Sequence, residues 1–231
     1  MRVANRKCIY RLAFKNLQAA KLRNLITVLA VALTTILFTT LFTIALSMVE
    51  NFQQSNFRQV GTYAHGIFKE LTKEQFDELK DDPLIKEWGL RRIAGLATDD
   101  VFNKSQVEVS YMDENYAKFG FTTPAVGHLP EEGTNQAATD LKLLSLLGVE
   151  PELGNEFTVT IDVDGTETTE TFTLCGYWEY DEVTVANHII MAESRLDEIL
   201  EKCNNQNRNG RTGSYQLNVM FRNASSIEND L

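Results

Sequence analysis

The sequence is short of most of what marks an enzyme. It has three histidines, three cysteines and four prolines in 231 residues. His65, His128 and His188 lie far apart, with no ligand partner at helical or hairpin spacing, so each reads as a packing or surface residue rather than a metal ligand. No G-x-x-x-x-G-K-[S/T] occurs, which excludes nucleotide hydrolysis through a P-loop. No G-x-S-x-G occurs either, and no Ser/His/Asp set is marked by local sequence. The expectation is a chain that is not an enzyme, with no catalytic, cofactor-binding or metal-binding residue and no cofactor. Asn209-Gly-Arg-Thr-Gly213 lacks a Lys and a following helix and reads as a loop. Asp162-Val-Asp164-Gly165 is a weak likeness of a calcium loop, but no Glu follows at the required spacing. There is no internal repeat, low-complexity tract or Pro-rich linker.

Charge is missing in two places, and both absences carry information. Residues 1–24 hold seven basic side chains and no acid, and residues 25–49 hold no charge at all. The remaining 182 residues therefore carry 15 Lys+Arg against all 32 Asp+Glu, a net of −17. A region so acidic repels phosphates, which excludes nucleic acid as a partner. Leu25 to Val49 is 25 residues long and, as a helix, covers about 37 Å, enough for a ~30 Å hydrocarbon core with some tilt. Its six Thr and one Ser are compatible with a span, because a hydroxyl can bond back to its own helix carbonyls, and small hydroxyl residues mark helix contacts. Ala45-Leu46-Ser47 could pass as a cleavage site, but the apolar stretch is about twice a signal peptide's apolar core. The seven preceding cations put the N-terminus on the cytoplasmic side and everything after about residue 50 outside the cell membrane.

The leader is patterned as well. Tyr10, Ala13, Phe14 and Leu17 fall at helical spacing, with Arg11, Lys15 and Lys21 largely elsewhere on the wheel. This reads as an amphipathic helix on the inner membrane surface, an unstructured basic anchor being the alternative. Residues 50–61 prolong the span as a helical stalk that Gly61 ends. Residues 62–69 suit a strand, Thr72-Lys-Glu-Gln75 forms a capping box, and 84–97 suit a second strand, making a β-α-β unit. Further along, 105–113 alternate as a strand and Asp140–Leu147 suit a short helix ending at Gly148. The two Thr-rich runs flanking Asp164-Gly165 predict a β-hairpin with a two-residue turn. Val183–Met191 suit a strand, Glu193–Cys203 a helix, 204–214 a loop, and Tyr215–Phe221 a strand.

Ser225-Ser-Ile-Glu228 is another capping box, so a helix is expected to begin near residue 226 and to stop after barely one turn. On that ground the natural protein is expected to continue beyond Leu231. The fold class is α+β: one N-terminal transmembrane helix followed by a two-lobed extracytoplasmic domain. A membrane-near porter-like lobe uses 62–97 and 214–231 and is incomplete at its C-terminus. A β-rich lobe, 98–213, is inserted into it. The near lobe is expected to be weakly ordered, with an unpaired sheet position. Cys8 lies in a reducing compartment, Cys175 packs as a small hydrophobe, and whether Cys175 pairs with Cys203 stays open.

With these elements in order, the chain resembles the MacB/FtsX-like ABC transporter permeases. Leu12-Ala-Phe-Lys-Asn-Leu17 and Leu22-Arg-Asn-Leu25 are similar to that family's opening "A-x-R-N-L … K-x-R-S-x-L-T". Leu71-Thr-Lys-Glu-Gln-Phe-Asp-Glu-Leu79 is similar to the first helix of its extracytoplasmic domain. Gly127-His-Leu-Pro130, Leu147-Gly148 and Leu153-Gly154-Asn155 resemble its "G-R-x-P … L-G … G-D" series, and Phe172-Thr-Leu-Cys-Gly176 its "f-x-v-x-G" strand. His128 departs from the usual Arg, Gln136 from a common Glu and Asn155 from Asp. The resemblance implies the N-terminal portion of a permease: first span plus MacB-like core domain, working as a dimer with a separate ABC ATPase subunit. It also implies a lever, in which ATP-driven closing inside moves a domain outside. The substrate-binding residues are unknown, and substrates in the family range from peptides and drugs to lipid-linked molecules. A single-pass membrane-anchored extracellular binding or sensor protein is the other reading.

Overall fold

The computed structural model describes residues 6–184, 186–203 and 212–223. The 226-onward helix and most of the 204–214 loop fall outside them. Two units are described separately, residues 1–54 and 55–231.

The first unit is helical. Helix α1 is Arg6–Ala19, and α2 begins at Lys21 and runs as one helix to Val60. α2 is long and apolar enough to cross a membrane, with no buried residue along it. All six threonines of the apolar stretch satisfy their hydroxyls internally, from Thr27 to the Arg23 carbonyl at 3.0 Å through Thr43 to the Thr39 carbonyl at 2.8 Å. Each thus offers lipid or a neighbouring helix a methyl group and no free donor.

The second unit is a sheet domain. In chain order it contains β1 (Gly66–Leu71), α3 (Lys73–Lys80), β2 (Ile85–Ala97), β3 (Gln106–Met112) and α4 (Glu114–Phe119). After these come β4 (Val126–Gly127), β5 (Gln136–Asp140), α5 (Leu141–Leu147), β6 (Glu156–Val163) and β7 (Thr166–Trp178), then β8 (Ala186–Met191), α6 (Glu193–Lys202) and β9 (Tyr215–Phe221). The strands form one nine-stranded sheet in the order β1-β9-β2-β3-β8-β5-β7-β4, with β6 paired to β2 and β7. The fold is α+β, an apolar N-terminal helix followed by a sheet-rich domain.

Local chemistry explains the elements that the sequence announces. Thr72 accepts from the Gln75 amide at 3.3 Å while Gln75 Oε1 accepts from the Thr72 amide at 2.9 Å, a complete capping box for α3. In the β6–β7 hairpin Val163 faces Thr166, and Asp164 and Gly165 take φ of +54° and +85°, the left-handed pair of a type I′ turn. The core of the inserted region gathers Val109, Leu143, Ile161, Phe172 and Ile189. A second core gathers Phe76, Leu90, Leu217 and Val219 under α3.

β9 lies between β1 and β2, antiparallel to both. Tyr215–Phe221 is thus hydrogen-bonded on both sides, with Leu217 and Val219 fully buried. The open position lies at β1, which pairs only with β9 among the described residues. The expected strand from residue 62 begins later, at Gly66, because 62–65 make a different structure, described next. Two further elements had no counterpart in the sequence reading: α4, capped by Asp113, and β5, which joins β7 to β8.

Candidate functional site

The C-terminal end of α2 is built into the sheet domain by five consecutive residues. Gly61 adopts φ +83°, a left-handed stop, and its amide and that of Thr62 both reach back to the Phe57 carbonyl at 2.9 and 3.0 Å. Thr62 is buried, and its hydroxyl oxygen accepts from Asn218 Nδ2 and from the Ala64 amide, each at 3.1 Å. Tyr63 donates its amide to the Phe119 carbonyl at 3.2 Å and packs its ring on Phe119 and Phe121. His65 donates its amide to the Val219 carbonyl at 2.9 Å, and its Nδ1 accepts from the Phe221 amide at 3.1 Å. One turn earlier, Arg58 pairs with Asp181 at 3.2 Å. The helix end is therefore fixed to β9, the strand next to the β1 edge, to the end of α4 and to the loop before β8.

A cleft of about 360 Å³ opens beside this clamp. Its polar wall is Arg91 on β2, Glu108 on β3 and His188 on β8, brought together because these three strands are consecutive in the sheet. Arg91 forms an ion pair with Glu108, whose other oxygen accepts from Gln106 Nε2 at 2.9 Å. Burial works to raise the Glu108 pKa, but the Arg91 charge overcomes it and holds the carboxyl below its usual range. His188 Nδ1 lies 3.7 Å from Glu108. Burial, aided by the Arg91 charge, pushes His188 down to about 3, so the imidazole is neutral at physiological pH. Arg91 Nε and His188 Nδ1 are both buried without a hydrogen-bond partner. At the cleft, Asp140 caps α5 through the Leu143 amide at 2.9 Å and accepts from Asn187 Nδ2 at 2.8 Å. Phe121 lines the same cleft with 39% of its surface exposed.

The histidines singled out by the sequence are not brought together. His65 serves the helix clamp, His128 sits 2.7 Å from the Leu129 carbonyl, and His188 joins the cleft. Among the described residues no group of three His, Cys, Asp or Glu side chains could hold a metal ion. Asp162 accepts from the Gly165 amide at 2.7 Å, which ties it to the hairpin turn. Cys8, Cys175 and Cys203 are all free thiols, Cys175 buried beside Met112 and Ile190 and Cys203 packed against the inserted core. Burial pushes the Cys175 thiol up to about 11, which leaves it unreactive at neutral pH. The cleft residues Arg91, Glu108 and Phe121 drew no attention in the sequence. One signal was present: two adjacent arginines, Arg91 and Arg92, inside the otherwise uncharged run Trp88–Ala97. Arg92 proves structural, held by Glu193 and Asp197 at 2.9 Å each.

No protein-family profile matches the sequence, and no curated protein matches it. Two solved extracytoplasmic domains resemble it. One is the extracellular domain of the noncanonic ABC-type transporter YknZ from Gram-positive bacteria, at 12% identity and a TM-score of 0.44 over 69% of this chain and 77% of that one. The other is the periplasmic region of MacB from Actinobacillus actinomycetemcomitans, at 14% identity and a TM-score of 0.43 over 71% of each chain.

Proposed function

We propose that this chain is the N-terminal part of the permease subunit of an ABC transporter of MacB/FtsX type. It is anchored in the membrane by α2, with its N-terminus in the cytoplasm and its sheet domain outside. The observation that carries the reading is the clamp from Phe57 to His65. Hydrogen bonds to β9 and to the Phe119 carbonyl hold the end of the spanning helix, so movement of the helix is delivered to the sheet rather than lost in a linker. The ordered sequence resemblance and the seven-to-zero basic bias before the span support the same assignment. The chain itself performs no catalysis in this account. A separate ATPase hydrolyses ATP, two permease copies work together, and the extracytoplasmic domain transmits force.

A second reading, a membrane-anchored extracellular binding or sensor protein, is favoured by the cleft and its unpartnered nitrogens. One experiment separates the two. The natural protein carrying this sequence is tagged and purified from its own membranes in mild detergent. The permease reading requires a co-purifying subunit with a P-loop and ATP hydrolysis that follows that subunit through the column. A protein that purifies alone, with no ATP hydrolysis, refutes it.

A further inference from the structure

We propose that the cleft binds a neutral polyhydroxylated ligand, a sugar or sugar-like polyol, with Phe121 as its stacking face and Arg91, Glu108 and His188 as its hydrogen-bond partners. This goes beyond the transport reading and stands whether or not the chain works with an ATPase.

The first argument is hydrogen-bond accounting. Arg91 Nε is a buried donor with nothing to donate to, and His188 Nδ1 is a buried ring nitrogen with no partner. Native structures leave few such groups, because each costs its full desolvation. Both stand around one carboxylate, Glu108, bonded to Arg91 and 3.7 Å from His188 Nδ1. Each Glu108 oxygen accepts a hydrogen bond, one from Arg91 and the other from Gln106, which leaves lone pairs to accept more. A hydroxyl both donates and accepts, so an array of hydroxyls can serve an unpaired donor, an unpaired ring nitrogen and a half-used carboxylate together.

The second argument is charge. The Arg91 cation is cancelled by Glu108, Asp181 is taken by Arg58, and His188 is uncharged. Exposed Lys69 and Glu179 also line the cleft, and Asp140 adds a further carboxyl, so cations do not outnumber acids there. A phosphate or a carboxylate entering this cleft finds no uncompensated cation, whereas a neutral polar molecule loses nothing on that account.

The third argument is Phe121. It is a bulky residue held at φ +58°, a conformation that costs about 1–3 kcal/mol outside glycine. The Tyr63 ring supports it at 5.5 Å, yet 39% of its surface stays exposed at the cleft. An aromatic ring kept exposed in a strained backbone is a stacking platform of the kind sugars use, an apolar face beside a polar wall. The volume of about 360 Å³ suits a small ligand.

The test uses the full chain in lipid nanodiscs and ligand-observed NMR with glucose, N-acetylglucosamine and maltose, and separately with inorganic phosphate and glutamate. The account expects saturable binding of at least one sugar and none of phosphate or glutamate. Phe121→Gly should weaken that binding at least about tenfold; relief of the strain at φ +58° offsets part of the packing lost against Tyr63. His188→Phe should weaken it comparably. If Phe121→Gly lowers the midpoint, Phe121→Leu, which keeps an apolar side chain and removes the aromatic face, carries the same expectation. Absence of saturable sugar binding, meaning that water alone fills the cleft, overturns the proposal. So does sugar binding unchanged in the variants, or a preference for phosphate or glutamate.

Discussion

Replacing Thr62 with Val tests the clamp at its centre. The substitution keeps side-chain shape and removes the one oxygen that accepts from both Asn218 Nδ2 and the Ala64 amide. Asn218 is fully buried, so its amide has no route to water, and an unpaired buried donor costs about 1–3 kcal/mol. Ala64 is half-buried and recovers part of its loss from solvent. The expected destabilisation is about 2–3 kcal/mol, which in a domain of this size lowers the melting midpoint by roughly 4–12 °C. Asn218 Oδ1 already lacks a partner, so Asn218→Leu removes the orphaned amide whole. The double variant Thr62→Val/Asn218→Leu should therefore be more stable than the two single losses added together, by about 1–2 kcal/mol. Urea titration of the full chain in a Trp178→Phe background, followed by the fluorescence of Trp88, reports this directly, because Trp88 packs edge-on at 5.5 Å against Phe76 in the adjoining core. Additivity of the two substitutions within about 0.5 kcal/mol would show that the two side chains do not act as a pair.

Other perturbations follow from charge and side. Burial raises Asp113 from 3.8 to about 6, although it caps α4 through the Tyr116 amide. A carboxyl raised in the folded state binds more protons folded than unfolded between those values, so its share of stability, at most about 3 kcal/mol, is lost as pH rises from about 4 to about 6. Asp113→Asn, which also caps helices well, should remove that slope in pH-dependent urea titrations. His188 has the opposite sign: its folded pKa of about 3 lies below the ordinary 6.5 of an unfolded chain, so its contribution is lost as pH falls from about 6.5 towards 3. His188→Phe should flatten the acid limb, and an unchanged limb would show that His188 is not held neutral. A membrane-impermeant maleimide applied to intact cells should leave Cys8 unlabelled, and its labelling would reverse the proposed orientation.

What was legible in the sequence was local. The capping box at Thr72, the stop at Gly61 and the turn at Asp164-Gly165 each depend on residues within four positions of one another. The 40-residue α2 was legible through its composition alone. What was not legible depends on distant partners. Nothing within Tyr215–Phe221 says that it lies between β1 and β2, about 150 and 130 residues earlier, because strand order is decided by which faces remain to be covered. α4 is six residues and β5 is five, built largely of Ala and Thr, too short for a period to show. The cleft is assembled from strands whose cleft residues are 17 and 80 positions apart, so Arg91 and Glu108 looked like ordinary strand charges until the sheet joined them to His188.

Hydrogen exchange on the natural complex in nanodiscs, with and without ATP and vanadate, tests the central claim most directly. If α2 delivers the ATPase's work to the sheet domain, trapping the ATP-bound state should change exchange at Phe57–His65 and at the loop 179–184, where Arg58 meets Asp181. The hairpin β6–β7, remote from the clamp in sequence and packed in the core with Val109, Leu143 and Ile189, should exchange identically in both states. Identical exchange at Phe57–His65 in the two states would show that the helix end carries no ATP-driven motion, and the account of this chain as a force-transmitting permease would be contradicted.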